Sequence, residues 1–181
     1  FCLLLSNKIS LLCNEWKSNE MIKKEGKFTY IEEGKGTPLI LLHGLMGGVD
    51  NFGSMVDIVA SAGFKVLAPD LKLFKVPLLK TSINYLAKYL ADFMKHKKLK
   101  KSVLVGNSLG GHIALVFSKK NPEKVDGMIL TGSSGLYEKA MGDTFPRRGD
   151  YDYIKVKTEE VFYNPKTATK ELVDKVFDIA N

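Results

Sequence analysis

The sequence predicts an α/β fold with a mostly parallel, doubly wound sheet. Three observations predict it. Short apolar runs that read as strands alternate along the chain with apolar stripes at helical spacing. Pro38-Leu39-Ile40-Leu41-Leu42 is apolar throughout, as in a strand buried on both faces of a parallel sheet. Val103-Leu104-Val105 breaks into Gly106-Asn107-Ser108-Leu109-Gly110-Gly111, a tight passage from strand to helix.

Phe28-Thr29-Tyr30-Ile31-Glu32 alternates and is rich in aromatic and β-branched residues, so it reads as the first strand. Gly34-Lys35-Gly36 turns it into Pro38–Leu42, which ends at His43-Gly44-Leu45-Met46-Gly47-Gly48. Phe52, Met55, Val56 and Val59 place a helical stripe over 51–62, and Gly63 stops it. Phe64-Lys65-Val66-Leu67-Ala68 is the next strand and ends at Pro69-Asp70; residues 71–79 are irregular. Ile83, Leu86, Leu90, Phe93 and Met94 mark a second helix. The strand over 102–105 leads through the Ser108 turn into a helix from about Gly111 to about Asn121. Val125–Leu130 is a further strand, ending at Thr131-Gly132-Ser133-Ser134-Gly135. After the first strand, strand and helix alternate strictly, which requires parallel pairing through right-handed crossovers.

The character changes near Leu136. Tyr137, Phe145, Tyr151, Tyr153, Phe162 and Tyr163 sit among charges, Pro146-Arg147-Arg148-Gly149 reads as a loop, and Leu172, Val173, Val176 and Phe177 mark a helix. The chain is therefore expected to comprise a sheet unit over 21–135 and the start of a helical cap over 136–181. Such an insertion reads as a lid over the carboxyl ends of the strands, where open α/β sheets bind ligands. Residues 1–20 are expected to be an upstream extension or an appended segment, because Met21-Ile22-Lys23-Lys24 opens a clean amphipathic start. The pattern stops at Asn181 without a helix-ending glycine.

The 181 residues are 45% hydrophobic and 26% charged, an ordinary globular balance, with a net charge of +7. The lysines are spread along the chain. The densest run, Lys95-His96-Lys97-Lys98-Leu99-Lys100-Lys101, reads as a solvated helix end rather than a nucleic-acid surface. No aromatic residue interleaves with it to stack on bases. Cys2 and Cys13 are the only cysteines and make no disulfide framework, which fits a reducing cytoplasm. No apolar run approaches the ~18 residues of a membrane span.

The Gly106–Gly110 turn carries the chemistry. A serine hydroxyl at the apex of a tight strand-to-helix turn stands clear of its neighbours. Glycines two residues either side let strand and helix backbones approach without Cβ clashes. The following helix aims its first amides at the place where an oxyanion would develop. A phosphate loop is excluded, because His112 and Ile113 occupy the places of its lysine and hydroxyl. A dinucleotide fingerprint is excluded, because it needs glycine at 108. An ordinary turn with a chance serine is the bland alternative.

His43-Gly44 after one strand, Pro69-Asp70 after the next, and Gly106-Asn107-Ser108-Leu109-Gly110-Gly111 occur in one order and spacing. Over 28–181 the chain resembles the first two thirds of an α/β-hydrolase-fold enzyme, in the serine-nucleophile branch with a His-Gly motif and a helical cap. The resemblance implies that Ser108 is the nucleophile and that the backbone N–H groups of Leu45 and Leu109 form the oxyanion hole. His43, Gly44, Gly106 and Gly110 support the motif. It implies an acyl-enzyme mechanism on an ester, thioester, lactone or carbon–carbon bond next to a carbonyl, with no cofactor and no metal. Relatives that open epoxides or remove halides carry aspartate in place of Ser108.

The chain departs from the family's pattern in two ways. Leu71-Lys72-Leu73-Phe74-Lys75-Val76-Pro77 replaces the usual Gly-rich segment after Pro69-Asp70. The family's acid and histidine base follow the cap, and this chain ends before them. The residues present do not replace them. His43 shapes the oxyanion loop in the resemblance, His112 reads as a packing or helix-start residue, His96 as solvated, and Asp70 as a loop hydrogen-bonder. The segment 132–135 holds no acid. Residues 1–181 alone are therefore expected to lack useful hydrolase activity. The expected partner is a small-molecule substrate, with neither nucleic acid nor membrane; oligomeric state is not readable. An apolar or aromatic substrate would suit the cap's aromatics, and a carboxylate Arg147-Arg148, but cap packing and solvated arginines are the simpler readings. A non-catalytic ligand binder and an acyltransferase are the alternatives.

Overall fold

The computed structural model describes residues 22–45, 47–73, 82–136, 149–160 and 162–180. The segment 1–20 with its two cysteines, Met21, Met46, residues 74–79, Tyr137, Phe145 and Pro146-Arg147-Arg148 lie outside the described residues. The chain divides into two compact units, one ending at Leu136 and the other beginning at Tyr137.

The first unit is one six-stranded sheet with helices on both faces. Its strands are β1 (Ile22–Glu25), β2 (Phe28–Glu33), β3 (Thr37–Leu42), β4 (Phe64–Pro69), β5 (Ser102–Asn107) and β6 (Val125–Thr131), in the spatial order β1-β2-β4-β3-β5-β6. β3 pairs in parallel with β4 and β5, and β5 with β6. The other end of the sheet is antiparallel: β1 pairs with β2, and β2 with β4. Residues 22–25, read from sequence only as an amphipathic start, are thus a strand. Gly26, at φ 55°, closes the two-residue turn that an antiparallel hairpin needs.

The two-residue period of the strands sorts the core into two layers. Ile40, Leu42, Leu67 and Leu104 point to one face, under α2 (Ile83–His96) and α3 (Leu109–Lys120). Leu39, Leu41, Val66, Ala68 and Val105 point to the other, under α1 (Met55–Ser61). α2 follows its predicted stripe: Leu86, Leu90, Phe93 and Met94 are all buried, and the Ser82 hydroxyl caps the helix by accepting from the Tyr85 N–H. α1 is shorter than the predicted span. Val49–Phe52 form a 3₁₀ turn, and Gly53 at φ 44° interrupts the path before Met55. Val56 is buried, whereas Met55 is exposed.

α3 starts at Leu109, two residues earlier than predicted, because the backbone of Ser108 itself makes the turn. It lies so close to the sheet that only glycine fits at two points. A Cβ on Gly110 would stand 2.0 Å from the Leu42 carbonyl oxygen. A Cβ on Gly106 would stand 2.6 Å from the carbonyl carbon of Gly110. Both obstacles are backbone, so neither can swing aside.

The basic run at the end of α2 is not wholly solvated. Lys97 is 12% exposed and donates to the Tyr30 hydroxyl at 2.8 Å and to Glu32 at 2.9 Å. His96 meets Glu25 at 2.8 Å. Burial alone would raise the Glu32 carboxyl; hydrogen bonds from Lys65, Lys97 and Lys23 outweigh it and hold the group at about 2, from an ordinary 4.5. This cluster ties the end of α2 to the hairpin.

The second unit contains α4 (Tyr151–Glu159) and α5 (Lys170–Ala180). Asp150 caps α4 by accepting from the Tyr153 N–H. The two helices are joined by the Tyr151 hydroxyl donating to Asp174 at 2.6 Å and by edge-on packing of Tyr151 on Phe177. Ile154, Val173 and Val176 are buried.

Two outcomes follow. Gly110→Ala is expected to destabilise the protein by about 1–3 kcal/mol or more, since the backbone must shift to admit the methyl group; chemical denaturation measures it. The Glu32 cluster adds stability above pH 4.5, and that share is lost as pH falls from about 4.5 toward 2. Urea midpoints of Glu32→Gln are therefore expected to fall less over that range than those of the parent protein.

Candidate active site

Parallel pairing puts the carboxyl ends of β3, β4, β5 and β6 along one edge of the sheet. Leu42 pairs with Gly106, so the turn after β3 and the turn after β5 emerge side by side. A Cβ on Gly44 would come within 3.3 Å of the Ser108 Cβ and 3.8 Å of its Oγ. The bare backbone of Gly44 therefore lies directly against the serine.

Ser108 stands at φ 52° and ψ −117°, a conformation that costs a non-glycine residue of order 1–3 kcal/mol. Its surroundings impose it. Its N–H donates to the Thr131 carbonyl at 3.0 Å. Its carbonyl accepts from Gly111 N–H at 3.0 Å, Ser134 N–H at 3.2 Å and His112 N–H at 3.3 Å. The segment after β6 thus clamps the elbow from one side, and a Cβ on Gly111 would strike the Ser133 hydroxyl at 2.4 Å. Sequence reasoning noted only that 132–135 holds no acid. The part played by Thr131 and Ser134 had one legible signal, their place just past the end of a strand parallel to β5.

The Ser108 hydroxyl makes no cap hydrogen bond to α3, although Ser108 occupies the N-cap position. Leu109 and Gly110 open α3, and the first amides of a helix have no carbonyl four residues back to bond. The half-buried Leu45 follows Gly44.

His43 is 1% exposed and both of its ring nitrogens are engaged. Nδ1 lies 2.9 Å from the Gly44 carbonyl oxygen, and Nε2 lies 3.0 Å from the Leu71 backbone nitrogen. A carbonyl only accepts and an N–H only donates, so Nδ1 carries the proton and Nε2 is bare. Burial pushes the ring's pKa down, which keeps it neutral. The nearest carboxylate, Asp70, is 3.9 Å from Nε2, beyond hydrogen-bond reach.

Asp70 works within its own loop. Its N–H donates to the Thr29 carbonyl at 2.8 Å, its carboxylate accepts from Lys72 N–H at 3.0 Å, and its carbonyl accepts from the Tyr89 hydroxyl at 3.0 Å. Burial raises the Tyr89 phenol, so it stays protonated and donating. Leu71 and Leu73 of this loop are buried. His112 lies on α3 with its ring against Gly135, and its Nδ1 is buried without a hydrogen-bond partner among the described residues. His96 is at the far end of α2, paired with Glu25. Among the described residues, no cluster of three His, Cys, Asp or Glu side chains could hold a metal ion. None of the helices there is long and apolar enough to cross a membrane.

Three known proteins place this arrangement. An alpha/beta hydrolase enzyme from the sediment metagenome of the Mar Chica lagoon, Morocco, is 42% identical, with a TM-score of 0.62 over 85% of this chain and 66% of that one. A 2-hydroxy-6-oxo-6-(2'-aminophenyl)hexa-2,4-dienoic acid hydrolase of Metapseudomonas resinovorans is 31% identical over 74% of this chain and 50% of its own length. Lipase 1 of Psychrobacter immobilis is 28% identical over 76% of this chain and 45% of its own length. The chain spans about half the length of the curated relatives it matches. The family model for the alpha/beta hydrolase fold matches residues 37–174, and the chain belongs to that family.

Proposed function

We propose that the protein is a serine hydrolase that cleaves an ester, thioester, lactone or carbon–carbon bond next to a carbonyl through an acyl-enzyme at Ser108. The observation that carries this reading is the conformation of Ser108, held at φ 52° with its hydroxyl free of the helix it caps. Strain of that kind persists only where the surroundings impose it.

In this reading Ser108 Oγ attacks the carbonyl carbon as its proton passes to a base. The tetrahedral oxyanion is held by the N–H groups of Leu45 and Leu109. Collapse expels the leaving group, and water then releases the acyl group. Each amide donor is worth roughly 3–4 kcal/mol of barrier. No metal or organic cofactor enters these steps. Gly44, Gly106 and Gly110 let the backbones carrying these groups close around the serine.

The base and the acid belong, in this proposal, to the protein outside residues 1–181. The chain has three histidines. His43 has both nitrogens engaged, His96 pairs with Glu25, and His112 packs against Gly135. The relatives named above include a lipase and a hydrolase of a dienoic acid, which supports a small-molecule substrate and leaves the bond type open. A cytoplasmic location belongs to the same proposal and rests on the low cysteine content.

The full-length protein is expected to react with a fluorophosphonate probe at Ser108, and Ser108→Ala to abolish both labelling and turnover of a nitrophenyl ester. Labelling that survives the substitution would refute the assignment. Residues 1–181 alone are expected to give no turnover above background; turnover there that vanishes with Ser108→Ala would place a base within this chain.

A further inference from the structure

We infer that Ser134 is a positioning residue for acyl transfer. By holding the Ser108 carbonyl from the segment after β6, it sets the direction of the nucleophile's side chain and the aim of the Leu109 N–H. The inference rests on the hydrolase reading for its function, and on hydrogen-bond geometry for its mechanism.

A residue's Cα–Cβ bond is oriented by the two peptide planes that meet at its Cα. The plane before Ser108 is held through the Ser108 N–H, which donates to the Thr131 carbonyl at 3.0 Å. The plane after it is held through the Ser108 carbonyl. Gly111 and His112 N–H groups reach that carbonyl from within α3, so they move with the helix. Ser134 reaches it from outside the helix, with its N–H at 3.2 Å and its hydroxyl at 3.4 Å. Ser134 therefore ties the helix side of the elbow to the sheet. The same peptide unit carries the Leu109 N–H, which points opposite to the carbonyl. Whatever fixes the Ser108 carbonyl fixes that amide too.

Ser134 is itself held on both sides. Ser133 fills the space beside Gly111, where a Cβ would stand 2.4 Å from the Ser133 Oγ, and its hydroxyl donates to the Ser134 carbonyl at 2.9 Å. Gly135 stands at φ 86° against the His112 ring, where a Cβ would come within 2.6 Å of two ring carbons. Gly111 and Gly135 thus let 133–135 close on the first turn of α3. Any residue but proline at 134 would supply the backbone donor. The second donor needs a hydroxyl, and alanine there removes it alone.

Two measurements on the full-length protein test this. Amide hydrogen exchange is expected to find the Ser134 N–H protected; exchange at the rate of an unstructured amide would overturn the inference, whatever the activity. Ser134→Ala is expected to lower kcat about 3- to 100-fold with KM within about twofold, the upper figure being the cost of misplacing a reacting group by about 1 Å. Its rate of fluorophosphonate labelling is expected to fall in parallel. An unchanged kcat in a folded Ser134→Ala protein, or a change confined to KM or to the urea midpoint, would overturn the inference. If Ser134→Ala does not fold, Ser134→Cys, which keeps the size but is only a weak donor, is read in the same way. Failure of the hydrolase reading is separately visible, because Ser108→Ala would then leave turnover untouched while the exchange result is unaffected.

Discussion

The backbone of Ser108 is the constraint on which the rest of the first unit depends. A non-glycine residue at φ 52° and ψ −117° must be held there from outside. Its N–H reaches across to the end of β6, and its carbonyl is bonded both by its own helix and by Ser134 after β6. Those bonds exist only if β6 lies beside β5 in parallel and in register, with Asn107 opposite Thr131. The same turn sets α3 down onto β3, where Gly110 meets the Leu42 carbonyl. One residue thus couples the register of three strands to the position of a helix.

The turn carrying Leu45 and the serine differ in how they are secured. Ser108 is fixed through its own peptide bonds. Leu45 sits in a turn after β3, and its peptide is secured through a side chain, His43, that spans to the next strand's loop. A buried polar ring is costly unless both nitrogens are satisfied. Here both are, and the low polarity that keeps the ring neutral also strengthens its hydrogen bonds.

Most of the sheet was legible because burial leaves little freedom in composition. β3, β4 and β5 lie inside the sheet, and their apolar runs could be read directly. β1 was not legible: Ile22-Lys23-Lys24-Glu25 is largely exposed at the edge, where charge is tolerated and no apolar pattern is required. The interruption at Gly53 was hidden because Phe52 and Met55 keep helical spacing across it. Lys97 was misjudged because a lysine in a lysine-rich run looks solvated until its partners, Tyr30 and Glu32, are known to face it from another strand. At the site, the motif glycines and Ser108 could be read from spacing, because close backbone approach demands glycine. The ties from Leu71, Thr131 and Ser134 could not. They use backbone groups that every residue carries, so only the fold says which ones meet.

The order of the strands explains why the site lies between β3 and β5. From β3 the chain moves toward the antiparallel end through α1 to β4, then returns through α2 past β3 to β5, and continues through α3 to β6. Crossovers are right-handed, so reversing direction moves the connecting helix to the opposite face. α1 accordingly packs on one face, while α2 and α3 share the other. At the reversal, the chain leaves β3 and β5 in opposite directions. No connection crosses their carboxyl ends, the place where open α/β sheets bind ligands. The His43-Gly44-Leu45 turn and the Ser108 turn emerge side by side there because handedness and strand order leave that place free of connections. Handedness and strand order thus bring the Gly44 and Ser108 turns together before any side chain is chosen.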